Sequence, residues 1–130
     1  MNDVTGTWRL VRAIARDADG KDLPLPYGGH PAGRVVLGAD GRMMAMTMDA
    51  RREIPGGGHR EYSTYCGNYT FDGKQLITRV DAASDPARVG SEQVRDVRFE
   101  GDTMVLQPPL RPYGGAPEQR ELFWEKISDI

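Results

Sequence analysis

Two side chains that often carry reactive or metal-binding chemistry are scarce in this chain of 130 residues. The single cysteine, Cys66, excludes an intrachain disulfide and fits a reducing compartment. The two histidines, His30 and His59, lie in glycine-rich loops, and their spacing is not that of metal ligands. We therefore expect no metal and no cofactor.

Long apolar runs, targeting signals and an excess of one charge are missing as well. No apolar run approaches the roughly 20 residues of a membrane helix, and the first residues have neither the basic nor the apolar region of a secretory signal. The 17 basic and 19 acidic residues are spread through the chain and give a formal net charge of −2, which argues against a nucleic-acid surface. We expect a cytoplasmic protein without a nucleic-acid or membrane partner, and whether it forms a homodimer stays open.

Common catalytic signatures are also absent. No Gly-x-Ser-x-Gly elbow occurs, and no phosphate-binding or dinucleotide-binding glycine pattern leads from a strand into a helix. Instead, 16 glycines and 9 prolines punctuate short apolar segments. This pattern predicts many short strands joined by turns, and the length predicts a single domain over residues 1–130.

The first predicted strand begins at Gly6, which lets the backbone enter tightly. Trp8 follows near the strand start and is large enough to plug the closed end of a barrel. Strict alternation puts Trp8 and Leu10 on one face and Val11 and Ala13 on the other. We expect Gly6 and Trp8 to be structural residues, although a tryptophan at a strand start is also common in ordinary cores.

Seven further strands are predicted between the turn signals. They cover residues 34–37, 42–48, 61–71, 74–83, 91–100, 103–107 and 118–127. Consecutive antiparallel hairpins in this number favour an all-β fold, a closed antiparallel up-and-down barrel of about eight strands with little helix and room for one small ligand. The proline-rich segment 108–117 is expected not to pair as a strand and to cross the barrel rim.

The candidate ligand-binding residues are aromatic, methionine, histidine and arginine side chains on strand faces or in loops. They are Tyr27, His30, Met44, Met46, Tyr65, Tyr69, Arg79, Arg95 and Trp124. Methionine adapts to irregular ligands and equally fills irregular cores, and we prefer the core for Met44 and Met46. An arginine inside a small barrel needs a partner, which Asp81, Glu125 or an anionic ligand would supply. For Arg79 and Asp81, a solvent-facing pair is the simpler interpretation.

Several segments together resemble the bacterial lipocalin-like domain family, which are small calycin-type barrels. The segments, in family order, are 6–11, 33–43, 65–69, 89–95 and 122–126. The resemblance implies a β-barrel with an internal cavity that holds small hydrophobic molecules, without implying one activity.

The resemblance also bears on individual residues. In lipocalins an arginine from a late strand packs over the first-strand tryptophan, and Arg95 is the better match here, with Arg120 second. Where family members often have a histidine, this chain has Arg79 between Thr78 and Val80. Histidine chemistry is therefore not expected at that position.

The sequence and the resemblance leave two main candidate functions. The first is binding of a small hydrophobic or aromatic molecule, with the cavity mouth beside 27–30, 55–59 and 108–117. The second is a cofactor-independent isomerase, cyclase or lyase acting in the same cavity. It would use Tyr65 or Tyr69 as the acid, His30 or Asp81 as the base, and Arg79 or Arg95 for a developing oxyanion. A barrel filled by its own side chains, with a structural role, is a third possibility.

Overall fold

A computed structural model describes residues 3–129 of the chain. Nine strands form one sheet, and three short 3₁₀ turns are the helical segments of the described residues. The strands are β1 (Gly6–Asp17), β2 (Pro31–Leu37), β3 (Arg42–Asp49), β4 (Tyr62–Phe71), β5 (Gln75–Ala83), β6 (Glu92–Glu100), β7 (Thr103–Gln107), β8 (Arg111–Pro112) and β9 (Pro117–Ser128). The 3₁₀ turns are Pro26–Gly29, Pro55–Gly57 and Pro86–Arg88. None of the described helices is long and apolar enough to cross a membrane.

Eight of these strands close into an antiparallel barrel, as the sequence predicts. Each strand from β1 to β7 pairs with its neighbour in the chain, β7 pairs with β9, and β9 returns to β1 over residues 7–17. The two-residue strand β8 pairs with the start of β9 outside this ring. Closure gives β1 and β9 partners on both sides, which removes the sheet edges that would otherwise be exposed.

The connections at the two ends of the barrel differ in length. The three at the end near Trp8 are tight turns at 38–41, 72–74 and 101–102. The four at the opposite end are longer and cover 18–30, 50–61, 84–91 and 108–116. Because the strands run up and down, all four long loops meet around one opening.

The segment 108–116 corrects one prediction. Arg111 pairs with Glu118 and Pro112 with Pro117, so part of this proline-rich loop does pair as a strand. Proline lacks an N–H donor but keeps its carbonyl acceptor, which suits the edge position that β8 occupies. The loop therefore folds back on β9 as a small hairpin at the rim.

A bulge in β1 changes which residues face inward. Leu10 pairs with Trp124 and Arg12 with Phe123, so Val11 is left without a partner in the register. Val11 is exposed, while Ala13 lies buried on the same side as Leu10. The strict alternation predicted for this strand is therefore wrong beyond Leu10.

Gly67 lies at an irregularity in the pairing of β4 with β5. The register shifts after Cys66, which pairs with Ala82, whereas Gly67 pairs with Val80. A Cβ atom on Gly67 would overlap the carbonyl oxygen of Arg79. A side chain at this position would therefore force the two backbones apart.

Trp8 fills the closed end of the barrel. Its side chain is buried, its Nε1 donates a hydrogen bond to the Val4 carbonyl at 2.9 Å, and its ring centre lies 6.4 Å from that of Phe99. The cation that packs over this indole is Lys126, 5.1 Å from the ring centre. Lys126 is the register partner of Trp8, so neither Arg95 nor Arg120 takes the role that the resemblance implied.

Candidate ligand-binding cavity

A cavity of about 320 Å³ lies inside the barrel and opens between the long loops. Its inner part is apolar and is formed by side chains of β2, β3, β5, β7 and β9. These residues are Val35, Met43, Ala45, Leu76, Leu106 and Trp124. Ala45 is small, and its position among bulky neighbours leaves space that a larger residue would fill.

The cavity floor contains a hydrogen-bond donor without an acceptor. The Nε1 atom of Trp124 is buried and has no partner among residues 3–129. A buried N–H in this state costs free energy. Because the atom is enclosed by protein, the surface that Trp124 presents to the cavity is apolar.

One side of the mouth is a hydrogen-bonded network around Arg120. Arg120 is only 7% exposed and forms ion pairs with Glu61 at 2.6 Å and Glu118 at 2.8 Å. Glu61 also accepts the backbone N–H of Tyr27 at 2.8 Å. The Tyr27 hydroxyl donates to Thr47 Oγ1 at 3.0 Å, and burial raises the pKa of this phenol. Arg120 is fully compensated by these two carboxylates.

Tyr27 adopts a backbone conformation that is unusual for a residue with a side chain. Its φ is +58°, and it is the one non-glycine residue with positive φ among residues 3–129. Gly28 follows at φ +61°, where a Cβ would overlap the Arg51 guanidinium. The Glu61 and Thr47 contacts hold the Tyr27 ring at the mouth against this backbone cost.

Another part of the mouth carries two arginines that share one neutral acceptor. Arg88 donates to Gln93 Oε1 at 2.7 Å and Arg95 donates to the same oxygen at 3.1 Å. Arg88 also donates to Ser63 Oγ at 2.7 Å and lies 4.5 Å from the centre of the Tyr65 ring. Burial lowers the pKa of Arg88, and the positive charges of Arg95 and Arg111 act in the same direction, whereas Tyr65 and Asp85 partly oppose this shift.

The rim is completed by β8 and the residue after it. The Arg111 Nε donates to the Tyr113 hydroxyl at 3.0 Å. The Arg120 guanidinium stacks 3.7 Å from the centre of the Tyr113 ring. Tyr113 therefore links the two arginines across the rim.

Four of the predicted ligand-binding residues line this cavity. They are Tyr27, Tyr65, Arg95 and Trp124. Two of the three loops predicted at the mouth contribute to its lining, through Tyr27 and through residues of the 108–113 segment. The 55–59 segment is absent from the lining, and Asp85 and Arg88 of the 84–91 loop stand there instead.

Met44 and Met46 face away from the cavity, contrary to both interpretations of these side chains. Met44 is 60% exposed and Met46 37% exposed on the outer face of β3. The inward positions belong to the other parity of the strand, which brings Met43, Ala45 and Thr47 to the cavity wall.

Arg79 and Asp81 also lie on the outside. Arg79 is exposed, and Asp81 forms an ion pair with Arg42 at 2.5 Å on the outer surface. Glu125, the other carboxylate considered as a partner for Arg95, pairs with Arg9 at 3.0 Å. The solvent-facing interpretation is correct for both residues, although the partner of Asp81 is Arg42 rather than Arg79.

The remaining predicted residues, Tyr69 and His30, do not line the cavity. The Tyr69 hydroxyl donates to the Gly38 carbonyl at 2.6 Å near the closed end, and burial raises its pKa. His30 is exposed beside the mouth loop. The proposed acids and bases are therefore dispersed, with only Tyr65 at the cavity. The described residues contain no group of three side chains suited to a metal ion.

Several polar residues of the mouth were not predicted from the sequence, among them Glu61, Arg88 and Arg111. For Arg88 a partial signal exists, since Asp85 followed by Pro86 is a common start of a helical turn. The Asp85 carboxylate does cap this turn by accepting the Ala87 N–H at 3.0 Å. No local pattern shows that the turn directs Arg88 over Tyr65.

A closed eight-stranded barrel with an interior cavity open at one end is the architecture of small-molecule-binding barrels. The family model of the lipocalin-like domain matches residues 5–127. The chain therefore belongs to the lipocalin-like domain family. Searches among curated proteins and among solved structures gave no match.

Proposed function

We propose that this protein binds a small hydrophobic or aromatic molecule inside the barrel. The observation that carries the proposal is the cavity of about 320 Å³ with its apolar inner wall. This volume is at the lower end of the range of about 300–1,000 Å³ for ligand sites. Trp124 and Tyr65 supply aromatic surface, and the single cysteine suits a cytoplasmic setting.

Binding is favoured over the alternative of an isomerase, cyclase or lyase because the residues assigned to that chemistry do not meet. An acid and a base must lie within hydrogen-bond reach of one substrate. Asp81 and His30 are exposed, and the Tyr69 hydroxyl is bonded to Gly38. Tyr65 alone does not supply such a pair.

A thermal-unfolding screen tests the proposal. The ligands are three matched pairs, each an apolar carboxylic acid and its amide: decanoate and decanamide, 2-naphthoate and 2-naphthamide, indole-3-acetate and indole-3-acetamide. A ligand at 100 times its Kd adds about 2.7 kcal/mol to the free energy of unfolding, which raises Tm by several degrees.

Ala45→Phe and Met44→Phe form a matched pair of variants for this screen. Ala45 lines the cavity and Met44, its neighbour in the strand, is exposed. We expect Ala45→Phe to abolish the ligand-induced Tm shift and Met44→Phe to retain it. No shift with any of the six compounds, or equal shifts in both variants, would contradict the proposal.

A further inference from the structure

The two arginines on one side of the mouth have more donors than acceptors. Each guanidinium presents five N–H groups. Arg88 has Ser63 Oγ and Gln93 Oε1 as acceptors, and Arg95 has the Val94 carbonyl and Gln93 Oε1. The Nε atom of Arg88 is buried and has no partner among residues 3–129. Each guanidinium thus uses two of its five N–H groups, and both side chains line the cavity.

The pair also lacks a carboxylate in direct contact with it. All its acceptors are neutral oxygens, and neither arginine forms an ion pair within the described part of the chain. Asp85, a carboxylate in the lining, acts on Arg88 only from a distance: its charge raises the pKa of Arg88, but it accepts the Ala87 N–H and is exposed. Because Arg88 and Arg95 donate to the same oxygen, two like charges lie side by side, one on the buried Arg95 and one on the half-buried Arg88.

Burial makes this arrangement costly for Arg95 in particular. The residue is only 7% exposed, and a buried guanidinium without a counter-charge is unfavourable. The two carboxylates considered as its partners, Asp81 and Glu125, are bound to Arg42 and Arg9 on the outer surface. Arg120, which is about as buried as Arg95, differs in having two carboxylate partners at the same mouth.

We infer that the molecule bound in this cavity is an apolar carboxylate, whose anionic group binds Arg95 and Arg88 while its apolar part lies against Trp124 and Leu76. The inference rests on the proposed function and adds the chemical class of the ligand. The planar guanidinium fork matches the two oxygens of a carboxylate. Leu76 is the register partner of Arg95, so the charged site borders directly on the apolar floor.

Isothermal titration calorimetry with the three acid–amide pairs tests the inference at neutral pH. Within each pair the apolar part is the same, and only the charge of the head group differs. Hydrogen bonds to charged groups are stronger than neutral ones by enough to give about a tenfold difference in Kd. We expect each acid that binds to have a Kd at least about tenfold lower than that of its amide.

Arg95→Met removes the buried charge at similar side-chain volume, and Arg88→Met removes the second charge from a loop. Arg79→Met is the matched control, because it removes one positive charge from the exposed outer face of β5. We expect Arg95→Met and Arg88→Met to weaken acid binding about tenfold each and to leave amide binding unchanged or stronger. Arg79→Met should change neither.

The outcomes separate the two proposals. If amides bind as tightly as acids, or if Arg95→Met weakens both members of a pair equally, the carboxylate inference is overturned while binding in the barrel stands. If only 2-naphthyl phosphate, added as a seventh probe, distinguishes the variants, the site recognises phosphate and the inference is also overturned. If no compound binds the unmodified protein, the proposed function itself fails.

Discussion

Four arginines at the mouth of this barrel show how neighbours decide the chemistry of identical side chains. Arg120 is enclosed by Glu61 and Glu118, and Arg111 is bonded to Tyr113. Arg88 and Arg95 share one amide oxygen and have no carboxylate partner among residues 3–129. The first of these arrangements holds the fold together, whereas the last is suited to a ligand.

The tight space around Gly67 predicts that adding a single methyl group there destabilises the fold. Gly67→Ala places a methyl group against the Arg79 carbonyl, and the backbone must move to accept it. We expect a loss of about 1–3 kcal/mol in the free energy of unfolding, measured by urea denaturation. Gly115→Ala is the control, because no atom lies within 4 Å of the added Cβ and its φ is not in the left-handed region. Equal stabilities of the two variants would show that Gly67 is not sterically required.

Asp49 offers a prediction about pH. Its carboxylate accepts hydrogen bonds from Arg51, including one from the guanidinium at 2.7 Å, and these lower its pKa from 3.8 to about 2. A lowered pKa in the folded state means that this carboxylate stabilises the fold above about pH 4 and loses that contribution as the pH falls towards 2.

The side-chain carboxyl carbon of Asp49 reports this titration by NMR. We expect a midpoint near 2 in the unmodified protein and a higher midpoint, closer to 3.8, in Arg51→Met. Arg52→Met is the control, since Arg52 is an exposed neighbour whose side chain does not bond to Asp49. A midpoint that is the same in all three proteins would contradict the assigned cause.

At the scale of the element, the bulge in β1 shows that the sequence predicts where a strand lies but not which of its side chains face inward. The existence and the approximate ends of the barrel strands follow from turn residues and apolar patterns. The inward face does not, because a bulge inserts one residue without a marker in the sequence: Val11 is an ordinary strand residue. In β3, both faces are apolar, so pattern alone cannot decide between Met44 and Ala45.

The bulge predicts different tolerances at two neighbouring positions. Ala13 is 4% exposed and points inward, whereas Val11 is 41% exposed. Ala13→Asp buries a carboxylate and should lower the free energy of unfolding by at least about 2 kcal/mol. Val11→Asp should cost about 1 kcal/mol or less. Urea denaturation measures both, and equal losses would mean that the two residues share a face, as an unbroken strand requires.

At the scale of the whole molecule, closure is predictable and the composition of the cavity is not. Eight strands in consecutive hairpins have one economical way to remove their edges, and the β1–β9 pairing completes it. The mouth, however, depends on contacts between residues far apart in the chain. Arg88 meets Ser63 across 25 positions, and Arg120 meets Glu61 across 59. Local patterns carry no information on such pairs.

The two tryptophans lie at different levels of the barrel, and tryptophan fluorescence can therefore report whether the cavity is occupied. Trp8 is bonded to Val4 beneath Lys126 and does not line the cavity, whereas Trp124 lines the floor with its Nε1 unpaired among the described residues. Indole fluorescence depends on the polarity and hydrogen bonding around the ring. A bound ligand should therefore change the fluorescence of Trp124 and leave that of Trp8 unchanged. A Trp8→Phe protein would then report filling of the barrel from a single fluorophore, without any attached dye.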